Sequence, residues 1–151
     1  MRARIVTEVI IASSPKEAFR YLENLEYHRL WNPHLVRIPP RKKLEVGSQY
    51  KAVSMMFGIE VRSNNVVSKL VPDKELQIEN RTGTILYSVN YKLKKESPSV
   101  KLVCSTSVSS TAKVIGLSAP LLKVLAKREL ESDLQALKVA VEQRLEWPDL
   151  L

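Results

Sequence analysis

The sequence holds a single cysteine, Cys104, so a disulfide framework is excluded. Its two histidines, His28 and His34, lie six residues apart with no second cysteine or clustered carboxylates beside them, and that spacing does not make a metal site. Nowhere do eighteen apolar residues run together, and Arg2, Arg4 and Glu8 interrupt the N-terminus before a signal-peptide core could develop. The sequence therefore predicts neither a signal peptide nor a membrane span, and the unpaired thiol fits a reducing cytoplasm. No internal repeat, low-complexity tract or linker divides the chain. One domain, 1–151, is expected, and 44% hydrophobic content can build its core without a staple, metal or cofactor.

Charge of one sign is present but mostly spread. Twenty-four Lys and Arg against sixteen Asp and Glu give a formal +8. The densest cluster is Arg37, Arg41, Lys42 and Lys43, a candidate patch for weak contact with an anionic membrane or an acidic protein. No aromatic side chains are interleaved with the basic ones as base stacking would need, and no nucleic-acid motif appears, which argues against nucleic acid as partner.

What is present is strand after strand, then one long helix. Ile5, Thr7, Val9 and Ile11 share one face of a first strand, Ala3 to Ala12. Ser14-Pro15-Lys16-Glu17 is a capping box with proline at the first helical position, opening a short helix that buries Ala18, Phe19, Leu22 and Leu25. A second short helix runs from Tyr27 to Trp31 and is stopped by Pro33. Strands are then predicted at Leu35–Pro39, Gln49–Phe57, Ile59–Val71, Glu75–Arg81, Thr84–Lys94 and Val100–Ser110. The short links between them imply an antiparallel meander. The clearest alternation sets Ile85, Tyr87, Val89, Tyr91 and Leu93 against Leu86, Ser88, Asn90 and Lys92.

Ser118 is a good N-cap, Pro120 stands in the first turn, and no further Gly or Pro occurs before Pro148, so a helix from Ser118 to Glu146 is predicted. Leu121, Leu125, Leu130, Leu134, Leu137, Val141 and Leu145 form its apolar stripe. Lys127, Arg128, Glu131, Asp133, Lys138, Glu142 and Arg144 are read as its solvent face.

These residues resemble a known superfamily. The stretch from Val6 to Ile38, with its strand, Ser-Pro helix start, inward Phe19 and Leu22, and Trp31-Asn32-Pro33, is similar to the opening of the polyketide cyclase/dehydrase and lipid-transport proteins, the START-like or SRPBCC superfamily. Leu44-Glu45-Val46-Gly47 resembles its glycine-marked turn, and Leu134 to Lys138 followed by Glu142 resembles its closing helix. One departure is Asn24, where relatives often carry Asp. The resemblance implies an α+β helix-grip fold: a curved antiparallel seven-stranded sheet wrapped around one long C-terminal helix, two short helices after the first strand, and a hydrophobic tunnel between. It says little about the ligand, because members share a scaffold.

The alternation points Tyr50, Ser54, Ser63, Asn65, Asn80, Tyr87, Tyr91 and Thr106 inward. So many polar groups against a dry leucine face would be left unsatisfied, which favours a cavity over a solid core. The inward set contains no Asp, Glu, His, Lys or Arg, and that counts against proton-transfer catalysis. His28 and His34 read as surface or capping residues, and Cys104 as an inert buried thiol. Tyr87 and Tyr91 either orient a ligand's carbonyl or pack as core aromatics. Trp31 either walls the pocket or seals helix to sheet. Val114, Ile115, Gly116 and Leu117 either pack inward or form a lid or membrane-touching tip at the tunnel mouth.

The leading expectation is a binder or carrier of a small hydrophobic molecule, of lipid, isoprenoid or polyketide type. Its candidate ligand-binding residues are Trp31, Tyr50, Ser54, Ser63, Asn80, Tyr87, Val89, Tyr91, Thr106, Leu130 and Leu134, with no catalytic residue assigned. A cyclase or dehydratase working by hydrogen bonding from Tyr50, Tyr87, Tyr91 and Asn80 comes second. A protein-interaction module of the ribosome- or chaperone-associated type comes third.

Overall fold

Period-two alternation becomes one curled sheet. A computed structural model describes residues 2–56, 58–83, 85–110 and 118–146. Its strands are β1 (Arg2–Ile11), β2 (Leu35–Arg37), β3 (Gln49–Met56), β4 (Ile59–Val71), β5 (Glu75–Asn80), β6 (Ile85–Glu96) and β7 (Ser99–Ser110). All seven pair antiparallel in the order β1-β7-β6-β5-β4-β3-β2. The meander thus runs from β2 to β7, and β1 joins at its far end by pairing with β7, from Arg2 opposite Ser109 to Ile11 opposite Val100. The second strand is shorter than expected, since its register with β3 shifts between Leu35 and Arg37.

The faces follow the alternation. Ile5, Thr7, Val9 and Ile11 are buried while Val6 and Ile10 are exposed. On β4 the register slips between Val67 and Lys69. That irregularity lets both Val67 and Leu70, three apart, reach the core side, which strict alternation forbids.

Between β1 and β2 come α1 (Pro15–Glu23), a 3-10 turn (Leu25–Tyr27) and α2 (His28–Trp31). Ser14 caps α1 by accepting a hydrogen bond from the Glu17 amide at 3.2 Å, and Pro15 occupies the first turn, where its missing N–H costs nothing. The Leu25 and Leu44 amides donate to Lys42 and Glu23 carbonyls, at 2.8 and 2.7 Å, and so bind the loop before β3 to this helical layer.

The long helix α3 spans Ala119–Glu142, capped by Ser118 Oγ. It ends earlier than its apolar pattern suggests. Arg144 adopts φ 54°, the Leu145 amide donates to the Ala140 carbonyl and the Arg144 amide to Val141. This is a Schellman ending with arginine at the left-handed position usually given to glycine. Leu145 and Glu146 therefore lie beyond the helix, held by Tyr21 Oη to the Leu145 carbonyl and by Tyr27 and Arg20 to Glu146.

The stripe on α3 also needs correction. Leu121 is exposed and the inward position belongs to Leu122, while Asp133, read as solvent-facing, is buried. Along the C-terminal half, Leu134, Leu137, Ala140 and Val141 are almost fully buried in a core with Phe19, Leu22, Leu76, Val100 and Leu102. Each such leucine or valine contributes about 1.5–3 kcal/mol relative to exposure. One half of α3 is thus clamped into a dense core, which leaves the other half to stand over the sheet.

Candidate functional site

Under that other half lies a cavity of about 140 Å³, open on one side. The sheet supplies its floor from alternating positions: Tyr50, Ala52, Ser54 and Met56 on β3, Val61, Ser63 and Asn65 on β4, Ile78 on β5, Tyr87, Val89 and Tyr91 on β6, and Thr106 and Val108 on β7. Leu25, His28, Trp31, Asn32, His34 and Leu35 form one wall, and Ala126, Glu129, Leu130 and Asp133 of α3 form the roof.

Of the residues expected to line a site, Trp31, Tyr50, Ser54, Ser63, Tyr87, Val89, Tyr91, Thr106 and Leu130 border this cavity. Two are placed elsewhere. Leu134 belongs to the core beside the cavity. Asn80 points inward as expected, yet its amide is engaged in the β5–β6 turn: Nδ2 donates to the Thr82 and Ile85 carbonyls at 3.0 and 2.8 Å, and Oδ1 accepts from the Asn64 amide at 3.1 Å. Alternation shows which face a residue takes but not that a local turn will occupy its polar atoms. The segment 114–117 lies outside the described residues.

Trp31 does both things expected of it as alternatives. Its indole Nε1 donates to the Tyr21 carbonyl at 3.1 Å, which seals α2 to α1, and its ring meets Tyr91 edge-on with centroids 5.8 Å apart. The three tyrosines differ. Tyr87 donates to Asn65 Oδ1, and Asn65 Nδ2 donates to Ser63 Oγ at 2.9 Å, so this hydroxyl is part of a closed network on β4 and β6. Among the described residues no hydrogen-bond partner exists for the hydroxyls of Tyr50 and Tyr91. Burial raises the pKa of both. Each therefore stays protonated and can donate to, or accept from, whatever enters.

The absence of titratable groups from the inward set is overturned. Asp133 is 8% exposed, and its Oδ1 has no hydrogen-bond partner. Burial, reinforced by the neighbouring Glu129 carboxylate, pushes its pKa up to about 7. His34 Nε2 stands 3.6 Å from Asp133 Oδ1, too far for a hydrogen bond but close enough for charge to be felt. Glu129, one turn before Asp133, is raised by burial and partly restored by His34. His34 is held by its own backbone, since its carbonyl accepts from the Met55 amide at 2.9 Å and joins the α2–β2 connection to β3.

His28 is a further correction. It is buried rather than superficial, its Nε2 donates to the Leu22 carbonyl at 2.7 Å, and burial lowers its pKa to about 4. It is a neutral structural imidazole. Cys104 behaves as read: it is buried, and burial raises its thiol to about 11, far from a reactive thiolate. Among the described residues no three His, Cys, Asp or Glu side chains are grouped to hold a metal ion, and no helix is long and apolar enough to cross a membrane.

The arrangement of sheet, cavity and clamped helix recurs in solved structures. A START superfamily protein from Mycobacterium smegmatis superposes at a TM-score of 0.78, covering 94% of this chain and 99% of the other at 18% identity. The chain has the START-like helix-grip fold. A protein from Thermus thermophilus matches that helix-grip fold at 0.81, with 16% identity over 95% of this chain and all of the other. An Enterococcus faecalis protein of unknown function aligns at 0.61, with 22% identity over 99% of this chain and 77% of its own. No family model matches the sequence, and no curated protein matches it. At these identities the helix-grip likeness extends to the fold, and the cavity chemistry belongs to this chain's own residues.

Proposed function

We propose that this protein binds one small, largely apolar molecule, without covalent chemistry, between α3 and the sheet. The observation that carries this reading is the open cavity itself, walled by Trp31, Leu35, Val61, Val89, Val108 and Leu130 and bearing two unpartnered tyrosine hydroxyls. Concave, mostly apolar sites with a few convergent polar groups are what small-molecule binding requires. Lipid, isoprenoid and polyketide skeletons, apolar bodies with isolated polar groups, suit such walls. Native mass spectrometry of the purified protein, with titration of a neutral environment-sensitive dye, tests the reading. Stoichiometric, displaceable binding is expected, and replacing Val89 with Trp should fill the cavity and abolish binding while the fold survives. A dye that binds equally well to Val89→Trp would sink it, and if the space is already filled the substitution should cost about 1–3 kcal/mol through overpacking.

One observation favours a second reading, an enzyme of the cyclase or dehydratase type. A carboxyl poised near 7 in a partly closed cavity is suited to general acid–base work, and Asp133 is such a group. In that case Asp133→Asn should lower turnover by a factor on the order of a hundred with substrate affinity retained, and the parent rate should titrate near pH 7. Binding without product from a panel of poly-β-ketone and lipid candidates favours the carrier.

A further inference from the structure

The cavity's charge runs against that of the molecule. The chain carries +8 overall, yet the cavity is lined by two carboxyl groups and by no lysine or arginine. Both carboxyls project from one face of α3, at the i, i+4 spacing that sets side chains about 5–6 Å apart. Asp133 is 8% exposed with a buried, unpartnered Oδ1, and Tyr91, 8% exposed, carries a hydroxyl that has no hydrogen-bond partner among the described residues. A buried carboxyl oxygen and a tyrosine hydroxyl thus both border the cavity without a partner among the described residues.

A neutral hydroxyl could satisfy Asp133 Oδ1 but would not offset two carboxylates a turn apart. A protonated amine does both, because it brings a positive charge and several N–H donors. Trp31, Tyr50 and Tyr91 border the same space, and an aromatic ring whose face meets a cation adds to its binding. A metal ion is a poorer match, since the acidic groups and His34 are not grouped to coordinate one. We propose that the cavity's ligand is an organic amine whose ammonium sits between Glu129 and Asp133 and whose ring-sized apolar body lies against Val89 and Trp31. The inference rests on the binding reading above and names the class of ligand.

A pH signature follows. The groups that face Asp133 are Glu129 on its own helix, His34 from the α2–β2 connection, Tyr91 on β6 and Cys104 on β7. Only the ionised Asp133 attracts an ammonium. Amine affinity therefore rises with pH through about 7, where Asp133 is half ionised, and levels off above it, as long as the amine itself remains charged.

The test compares 2-phenylethylamine, 2-phenylethanol and 3-phenylpropanoate, which share a ring and differ in the polar end, by calorimetry and by competition with the neutral dye. The amine is expected to bind at least tenfold tighter than the alcohol at pH 7.5, with the carboxylate weakest, and the amine's advantage should shrink about tenfold by pH 5.5. Asp133→Asn should erase that advantage, lowering amine affinity severalfold more than affinity for the alcohol or the dye, and the milder Glu129→Gln should reduce it severalfold. Dye binding without preference for the amine, or a preference that survives in both variants, overturns the amine assignment and leaves the proposed function standing. Failure of the dye and all three compounds to bind overturns both.

Discussion

The Tyr87 hydroxyl donates a hydrogen bond to Asn65 Oδ1, joining the β6 and β4 positions of the cavity floor across the intervening β5. Tyr91, four residues along on the same face, makes no such bond, so two tyrosines with the same sequence signature have different uses. Tyr87→Phe should leave a buried acceptor on Asn65 unsatisfied and cost about 1–3 kcal/mol in urea unfolding, with little change in ligand affinity. Tyr91→Phe should do the reverse, sparing stability and losing about 0.5–1.5 kcal/mol of affinity for a ligand with a polar group. Equal effects on both quantities for both variants would refute the distinction.

Two buried titratable groups oppose each other in the pH dependence of stability. His28 has a folded pKa near 4 against an ordinary 6.5, so its contribution is fully present above pH 6.5 and is lost as pH falls toward 4. Asp133 has a folded pKa near 7 against an ordinary 3.8, so its contribution is present below about pH 4 and is lost as pH rises toward 7. Each shift corresponds to something on the order of 3–4.5 kcal/mol. Removing Asp133 leaves the His28 slope unopposed. Asp133→Asn should therefore be more stable than the parent above pH 7 and lose stability more steeply between pH 6.5 and 4. Denaturant titrations at pH 4.5, 6 and 7.5 check this, and parallel curves for parent and variant would contradict it.

The chain beyond α3 is anchored at the far end from the cavity. Tyr27 Oη and Arg20 Nη2 donate to Glu146 Oε2 at 2.5 and 2.9 Å. The Arg20 and Glu146 side chains are 37% and 44% exposed, so screening discounts the ion pair itself. Glu146→Ala is expected to cost about 0.5–1.5 kcal/mol, mostly through the tyrosine hydrogen bond, with cavity binding unchanged. A loss of dye binding in this variant would show that the two ends of α3 are coupled.

The basic cluster is only partly free. Arg37, Arg41 and Lys43 are exposed, whereas Lys42 Nζ donates to the Gln49 carbonyl at 3.0 Å. If the cluster meets an anionic surface, the protein should be retained by phosphatidylserine-containing vesicles at low salt and released by about 0.5 M salt, which shortens screening to a few ångströms. Arg41→Glu with Lys43→Glu should lower retention severalfold while dye binding stays unchanged. Absence of retention at low salt removes the cluster as a membrane contact.

Strand faces were legible because they depend on a period of two, and Tyr87, Val89 and Tyr91 lie where alternation puts them. Helix faces were legible only in part, because charge outweighed position in reading α3. Asp133 stands three residues after Leu130 and four before Leu137, the spacing of the stripe itself, and Glu129 is four before Asp133. That spacing was the signal for the buried carboxyls. No periodicity could show the reach of the Asn80 amide into its turn, or the left-handed Arg144 that ends the helix, because both depend on local backbone geometry.

The pairing of Arg2 with Ser109 has a consequence for how the chain is made. β1 needs β7, made roughly a hundred residues later, as its neighbour. At synthesis rates of roughly 5–20 residues per second it waits on the order of 5–20 s for a partner. Meanwhile its apolar row of Ile5, Val9 and Ile11 is uncovered, a hazard for edge-to-edge association. Arg2, Arg4 and Glu8 are interleaved with that row, and charges so placed oppose such association. The charges that face water in the finished protein thus also suit the chain before it is finished.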